Sequence, residues 1–351
     1  MNENSPSLFV ITRFGIGQSS ENFYNQEFPY LENLLIKSIL NQKKLITKWI
    51  IIIDVNTPKY VSEKLKKLIP KDLLYIYSHD IFSNENLKNR IYKFHSSYQE
   101  LLPDISAIFK DLGVNDNDKV ITIRIDADDM LSNDYISSVI REINSDDLQD
   151  NYKLILVNAN YGVQFYPIKN KLVRIFKKNY SIQTLYSIFG KNFISVYDCG
   201  HQEMEQMVLN KGGICRQLGK EEFWLRSMRQ NSVSQLGKKF GVLFGRFDLI
   251  KNIIRNLFPK FFLKNLLYRG QVNTDDLSQK FELSDKLIAF FYKHEKNLET
   301  KKIIFSPMLK EIIGVNNKKN KTVIQKILLH MYKKETDEDK RIKIKNEFYN
   351  F

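Results

Sequence analysis

The chain has 351 residues, 43% of them hydrophobic and 27% charged, so it is globular and long enough for one large α/β domain with an appendage, or for two domains. No apolar run approaches the ~18 residues of a membrane span, and the polar start Met1 to Pro6 lacks the basic and apolar regions of a signal peptide. Two cysteines, Cys199 and Cys215, with no CxxC pair, exclude a disulfide scaffold and a cysteine-based zinc site, and together these features predict a cytoplasmic protein.

Residues 8 to 14 (Leu-Phe-Val-Ile-Thr-Arg-Phe) read as a first strand with a polar pair at its end, followed by a loop around Gly15, Gly17 and Ser19. Leu31 to Leu40 carries apolar residues at helical spacing and reads as an amphipathic helix. Trp49 to Asp54 is a continuous apolar run that ends in a carboxylate, the pattern of a parallel strand covered on both faces. Val55 to Pro58 is a turn, Val61 to Leu68 a helix, Leu73 to Tyr77 a short strand, His79 to Asn86 a loop, and Asn89 to Leu102 a helix.

The most informative stretch is Val120-Ile-Thr-Ile-Arg-Ile-Asp126-Ala-Asp128-Asp129-Met-Leu131. Its first half is a buried strand. Three carboxylates within four positions cannot lie inside such a strand, because unpaired buried charge costs several kcal/mol. They belong at its carboxyl end, where α/β sheets bind ligands. Hard oxygen donors on a short turn suit Mg²⁺ or Mn²⁺ completed by substrate phosphates. The plain structural alternative is an Asp-rich turn before the next helix, near Asp134 to Ile143, with Asn133 or Asp134 as its N-cap.

Leu154 to Asn158 reads as another strand, followed by a hairpin of Tyr161 to Tyr166 with Leu172 to Phe176. Asp198 to Glu205 is a dense polar patch, and Phe223 to Ser234 is the last segment of α/β texture. Strand, helix, strand, helix with polar strand ends describes a nucleotide-binding α/β sheet. No GxxxxGK[ST] and no GxGxxG follows any strand, which excludes a P-loop and a dinucleotide-binding Rossmann domain.

The formal net charge is +14, and residues 241 onward hold 23 Lys and Arg against 13 Asp and Glu. Val242 to Arg269 combines six basic residues and one acidic residue with abundant Leu, Ile and Phe, and Pro259 splits it into two helices. That composition fits a membrane-surface segment. It also fits a helical hairpin whose lysines snorkel at its rim. Three short apolar segments and a mixed-charge tail complete the chain.

Taken in order and spacing, Leu34 to Gln42, Trp49 to Pro58 and Arg124 to Asp129 resemble the nucleotide-sugar half of a family 2-like GT-A glycosyltransferase. More narrowly, Thr12-Arg13-Phe14, Trp49 with Asp54 and Thr57-Pro58, the Arg-x-Asp-x-Asp-Asp run, and Trp224-Leu225 with Asn231 and Ser234 resemble the bacterial rhamnosyltransferase family over residues 8 to 235. Glu222-Phe223 stands where that family has Pro-Met, and Arg229-Gln230 where it has His-Gly. The family's name does not fix the sugar.

The resemblance implies a GT-A fold over residues 1–238, Rossmann-like with a mostly parallel sheet flanked by helices, and a basic helical C-terminal region over 239–351. It implies that Asp54 faces the base and that Thr12 and Arg13 touch nucleotide or phosphate. Asp126 and Asp128 would hold ribose and Mn²⁺ or Mg²⁺, with Asp128 the preferred direct ligand, and Asp129 would orient donor-sugar hydroxyls. Arg90 and Arg124 would add positive charge, although structural ion pairs explain them equally. The general base falls among His201, Glu203 and Glu205, with Glu221 and Glu222 as competitors. His201 would alternatively complete the metal sphere, and Trp224 either stacks on a sugar or belongs to the core.

The implied activity is metal-dependent, inverting transfer of a hexose or deoxyhexose. The donor is a nucleotide-diphosphate sugar, and the acceptor a saccharide or lipid-linked molecule of a bacterial surface polysaccharide or lipopolysaccharide. The enzyme would work in the cytoplasm, peripheral to the inner face of the membrane. Rival readings are a non-catalytic GT-A-like binding protein, a sugar-phosphate nucleotidyltransferase and a basic nucleic-acid-binding protein. The glycines near Gly15 are too sparse for the second, and no zinc, helix-turn-helix or aromatic RNA motif supports the third.

Overall fold

The computed structural model describes residues 5–16, 18–80, 103–145, 152–176, 182–228 and 274–299, with residues 342 and 346. The expected helix over 89–102 and the basic segment 242–269 lie outside these residues, as does Arg90. The chain divides into two compact units, one of Met1–Gly162 with Lys177–Leu225 and the other of Val163–Phe176 with Arg226–Phe351.

The first unit is built on a seven-stranded sheet. Its strands are β1 (Ser7–Phe14), β2 (Lys48–Asp54), β3 (Leu74–His79), β4 (Lys119–Arg124), β6 (Leu154–Ala159), β9 (Ile182–Ile188) and β10 (Ile214–Gln217). The order across the sheet is β10-β6-β9-β4-β1-β2-β3. All neighbours are parallel except β9, which runs antiparallel to both β4 and β6. A mostly parallel α/β sheet flanked by helices is the expected class.

The sequence explains the strands. In β2 the residues Trp49, Ile50, Ile51 and Ile52 are fully buried. Burying each of those isoleucines is worth roughly 1.5–3 kcal/mol, and β-branched residues fit a pleated surface covered on both sides. One face is covered by α4 (Ile105–Asp111) and α6 (His201–Asn210), which contribute Ile108, Phe109, Met204 and Val208 to a core with Ile11, Ile52 and Leu156. Asp104 caps α4 by accepting the Ser106 N–H at 2.8 Å.

The opposite face is covered by α5 (Tyr135–Ile143) and the segment before β2. In α5 the residues Tyr135, Ile136, Val139 and Ile143 form a buried stripe at helical spacing. The expected helix at Leu31 to Leu40 begins earlier. Helix α1 (Glu21–Tyr30) is capped by Ser20, passes through Pro29, and widens into a π-helical stretch (Leu31–Ile36) before α2 (Lys37–Asn41). Helix α3 (Lys59–Leu68) places the Lys64 ammonium 4.0 Å over the Phe28 ring and 2.8 Å from Glu32.

The second unit begins within β7 (Tyr161–Tyr166), which forms the expected hairpin with β8 (Lys171–Phe176), turned through a 3₁₀ segment (Pro167–Lys169) and the left-handed Asn170. Its described residues also include the helices α7 (Thr274–Phe281) and α8 (Asp285–Glu299). The ring of Phe291 on α8 meets Phe165 edge-on at 5.9 Å.

Candidate functional site

The chain leaves β1 for β2 and β3 on one side, then returns to pair β4 on the other side of β1. The junction of β1 and β4 is therefore the sheet's switch point, and the crevice outside its carboxyl ends is where open α/β sheets take ligands. Arg13 is the penultimate residue of β1 there, and Asp126 follows β4. Arg13 Nη2 donates to Asp126 Oδ1 at 3.3 Å, with the two side chains 23% and 36% exposed. The pair bridges the switch point and stays open to solvent.

The acidic turn is pinned at both ends. Asp129 N–H bonds Asp126 O at 3.1 Å. Asp129 then opens the short strand β5 (Asp129–Leu131), whose Leu131 N–H bonds Ser38 Oγ. Just beyond it, the buried amide of Gln42 donates to Ser132 O at 2.9 Å and accepts from the Ile136 N–H at 2.9 Å. Asp134 is the N-cap residue of α5, and its carboxylate accepts from Ser132 Oγ at 2.6 Å. Asp134 is one of the two N-cap residues expected for this helix. Asp126 and Asp128 are partly exposed, whereas Asp129 is buried at 1% exposure.

Tyr197 organises the cationic side. It is buried, donates its hydroxyl to the Ile11 carbonyl of β1 at 3.1 Å, and lies under the Arg124 guanidinium, whose carbon is 4.8 Å from the ring centre. Burial pushes its phenol up to about 12, with Arg124 and Arg13 holding it back and Asp126 adding to the rise. Those four side chains therefore share one electrostatic neighbourhood.

A polar row continues across the sheet. Arg124 of β4, Gln183 of β9 and Asn158 of β6 stand in register. Gln183 Nε2 donates to Asn158 Oδ1 and to the His201 carbonyl, each at 3.1 Å, and Gln183 Oε1 lies 3.1 Å from His201 Nδ1. His201, the first residue of α6, is half-buried. Glu203 is exposed, and its carboxylate accepts the Gly200 N–H at 3.3 Å as part of the helix cap. Glu205 lies one turn beyond His201 and raises the Cys215 thiol electrostatically, a secondary effect after burial.

The structure sets other expected residues apart. Thr12 is fully buried and its hydroxyl accepts from Trp49 Nε1 at 3.0 Å. Neighbouring strand residues point to opposite faces, so Thr12 serves the core opposite Arg13 rather than the crevice. Asp54 is 1% exposed and its Oδ1 accepts both the Asn56 N–H at 2.9 Å and Asn56 Nδ2 at 3.0 Å, an Asx turn. Trp224 resolves to core. It is fully buried, donates Nε1 to the Ala159 carbonyl at 2.6 Å, and packs so closely on Gly162 that a Cβ there would overlap its ring. Glu221 is exposed and Glu222 half-buried, and Arg90 lies outside the described residues.

Tyr24 fixes the rim of the crevice. Its hydroxyl meets Thr57 Oγ1 at 2.8 Å and donates to Gln18 O at 3.1 Å, joining the loop after β1 to the loop after β2. Gly15, at φ +71°, occupies the left-handed region in that first loop, where a Cβ would collide with Tyr24.

Asn158, Gln183 and Tyr197 are part of this neighbourhood without being marked as site residues by the sequence pattern. Asn158 had a usable signal, because it ends the apolar run Leu-Ile-Leu-Val as Asp54 ends its own. Gln183 did not, because an antiparallel strand brings its first residues, not its last, to this edge.

The donor set of Asp126 and Asp128 fits a hard divalent cation completed by phosphates and water, since Mg²⁺ commonly takes one or two carboxylates plus substrate oxygens. It does not fit an all-protein cage. Among the described residues, no group of three or more His, Cys, Asp or Glu converges as a metal cluster. Cys199 and Cys215 are free thiols that burial pushes up to about 12 and about 11, which favours the protonated thiol over the metal-binding thiolate.

No protein-family model matches the chain, and no curated protein matches it in sequence. Solved structures similar to it include the inositol-1-phosphate CTP transferase from T. maritima, at 9% identity over 63% of this chain and 89% of that one, with a TM-score of 0.35. Another is 4-diphosphocytidyl-2C-methyl-D-erythritol synthase from Anaerococcus prevotii, at 9% identity over 62% and 90%, with a TM-score of 0.30. A third is HddC from Yersinia pseudotuberculosis, at 8% identity over 66% and 96%, with a TM-score of 0.33. Likeness this loose says nothing of activity, and the functional reading stands on the strand-end geometry.

Proposed function

We propose that this chain is a metal-dependent glycosyltransferase of the GT-A kind, moving a sugar from a nucleotide-diphosphate donor to a saccharide or lipid-linked acceptor. The observation that carries the reading is the Arg13–Asp126 pair across the β1/β4 switch point, with Asp128 two residues on and Arg124 held beside it. A diphosphate needs fixed cations, and an arginine fork meets two oxygens at once. A cation on Asp126 and Asp128, when bound, neutralises charge gathering on the leaving diphosphate.

Arg13 then grips phosphate oxygens, and the buried Arg124 adds positive charge. Tyr197 holds Arg124 in place, and Asp54 shapes the turn at the rim rather than touching the donor. Among His201, Glu203 and Glu205, His201 is the favoured base, because the Glu203 carboxylate is committed to the helix cap. In the transfer, the acceptor hydroxyl gives its proton to His201 and its oxygen bonds to the anomeric carbon. The bond from that carbon to the diphosphate breaks, and the nucleoside diphosphate leaves with the electron pair. The basic region 239–351 would hold the enzyme at an anionic surface bearing a lipid-linked acceptor. Among the described residues no helix is long and apolar enough to cross a membrane.

The test is a thermal-shift panel of UDP-, GDP-, dTDP- and CMP-sugars with and without Mn²⁺. One metal-dependent donor class at 100 times its Kd should stabilise the fold by about 2.7 kcal/mol, and Asp128→Ala should remove the metal-dependent part. No shift with any nucleotide, or a shift that Asp128→Ala leaves unchanged, defeats the reading. Salt-sensitive binding to random DNA with no response to sugar nucleotides would point instead to a nucleic-acid-binding protein.

A further inference from the structure

The amide of Gln183 has only one orientation that satisfies its neighbours. One end of it faces the backbone carbonyl of His201 at 3.1 Å, and a carbonyl only accepts, so that end is the nitrogen. The same nitrogen donates its second hydrogen to Asn158 Oδ1 at 3.1 Å. The oxygen is then the end that lies 3.1 Å from His201 Nδ1. An amide oxygen only accepts, so Nδ1 carries the hydrogen, and in the neutral ring the lone pair sits on Nε2.

The amide is itself well anchored. Gln183 is 2% exposed and stands in register between Arg124 and Asn158. It holds His201 twice, by ring and by backbone, at the first turn of α6, so both the tautomer and the ring's position follow from one side chain.

We propose that Gln183, anchored by Asn158, is a positioning residue that fixes His201 as the Nδ1–H tautomer and makes Nε2 its proton-accepting atom. The catalytic sense of this assignment rests on the sugar-transfer reading, but the tautomer itself does not. Without the bond to Gln183, imidazole redistributes its proton between the two nitrogens, and the acceptor hydroxyl meets a ring that carries a hydrogen on Nε2 part of the time.

The experiment is ¹⁵N-histidine NMR on the full chain without nucleotide. The chain has five histidines, and His201→Gln identifies the signal in question. The native chain should show His201 protonated on Nδ1 and unprotonated on Nε2 above its titration range. Gln183→Leu should shift it toward the Nε2–H form. Gln183→Met, which fills the same space without an amide oxygen, should shift it in the same direction and serves if the leucine variant does not fold. A native Nε2–H ring, or Nδ1–H retained in a folded Gln183→Leu or Gln183→Met chain, overturns the proposal. The readout needs no nucleotide, so a silent sugar-nucleotide panel would defeat the functional reading and leave the tautomer result standing, and the reverse holds as well.

Discussion

Arg13→Met separates the two uses of the switch-point ion pair. Methionine keeps much of the apolar stem and removes the charge. The pair is 3.3 Å long with side chains 23% and 36% exposed, which places it with solvent-screened bridges worth about 0–1 kcal/mol. Asp126 stays hydrated when its partner goes, so no buried charge is stranded. For a folded unit of this size about 1 kcal/mol corresponds to about 2–4 °C of Tm, and the loss should not exceed that. Donor binding should suffer more. A hydrogen bond to a charged group contributes about 1.5–3 kcal/mol, roughly a 10- to 150-fold rise in Kd. Calorimetric titration of the stabilising sugar nucleotide with Mn²⁺, beside a thermal melt of the free chain, reads both quantities. A Kd within twofold of native, or a melt that falls far more than 4 °C with unchanged affinity, would make Arg13 a structural residue and remove the basis of the site.

Trp224→Phe deprives the buried Ala159 carbonyl of the indole N–H and should cost about 1–3 kcal/mol in urea unfolding with donor affinity unchanged; weakened donor binding at full stability would return Trp224 to the sugar. Alkaline stability follows from burial, which raises Cys199 to about 12, Cys215 to about 11 and Tyr197 to about 12. Their folded values lie above the ordinary 9.0 and 10.0, so the stability they contribute is complete below pH 9 and is lost as pH rises toward 12. Urea midpoints should hold from pH 8 to about 9 and fall from there to pH 11, and in a Cys199→Ala/Cys215→Ala chain the fall should begin near pH 10. An unchanged onset in that variant would show that the thiols are not held neutral by the fold.

The parallel half of the sheet was legible because its strands are buried on both faces. A run such as Trp49-Ile-Ile-Ile-Ile has one reading, and a charge that follows it has only the strand end to occupy. Strand β9 was not legible. Ile-Gln-Thr-Leu-Tyr-Ser-Ile looks like an edge strand or a loop, yet it lies in mid-sheet with Gln183, Thr184 and Ser187 all buried. Thr184 is accommodated by a 2.7 Å bond with the Tyr135 hydroxyl, a partner 49 residues away that local pattern cannot reveal. Helix α6 escaped for a related reason. Among its described side chains the buried ones are Met204 and Val208, so the segment reads as a polar patch. For Thr12 the sequence does carry a signal, since strand alternation alone puts Thr12 and Arg13 on opposite faces.

Asp54 shows why a strand-end carboxylate does not by itself identify a ligand contact. Its Oδ1 holds two donors of Asn56, and the neighbouring loops are joined through Tyr24 and Thr57, so the residue is 1% exposed. Asp126, with 36% of its side chain open, can meet a phosphate or a metal without the loops parting. This difference gives a graded expectation. Asp54→Ala removes an acceptor that serves a backbone and a side-chain donor and should cost about 1.5–3 kcal/mol of stability. Asp54→Asn keeps an oxygen for the Asn56 backbone N–H and should recover much of that loss, with donor affinity close to native. The measurements are urea unfolding and donor titration on both variants. If Asp54→Asn is stable and yet binds the donor tenfold more weakly, the carboxylate charge itself meets the nucleotide, and the rim must open on binding to let it do so.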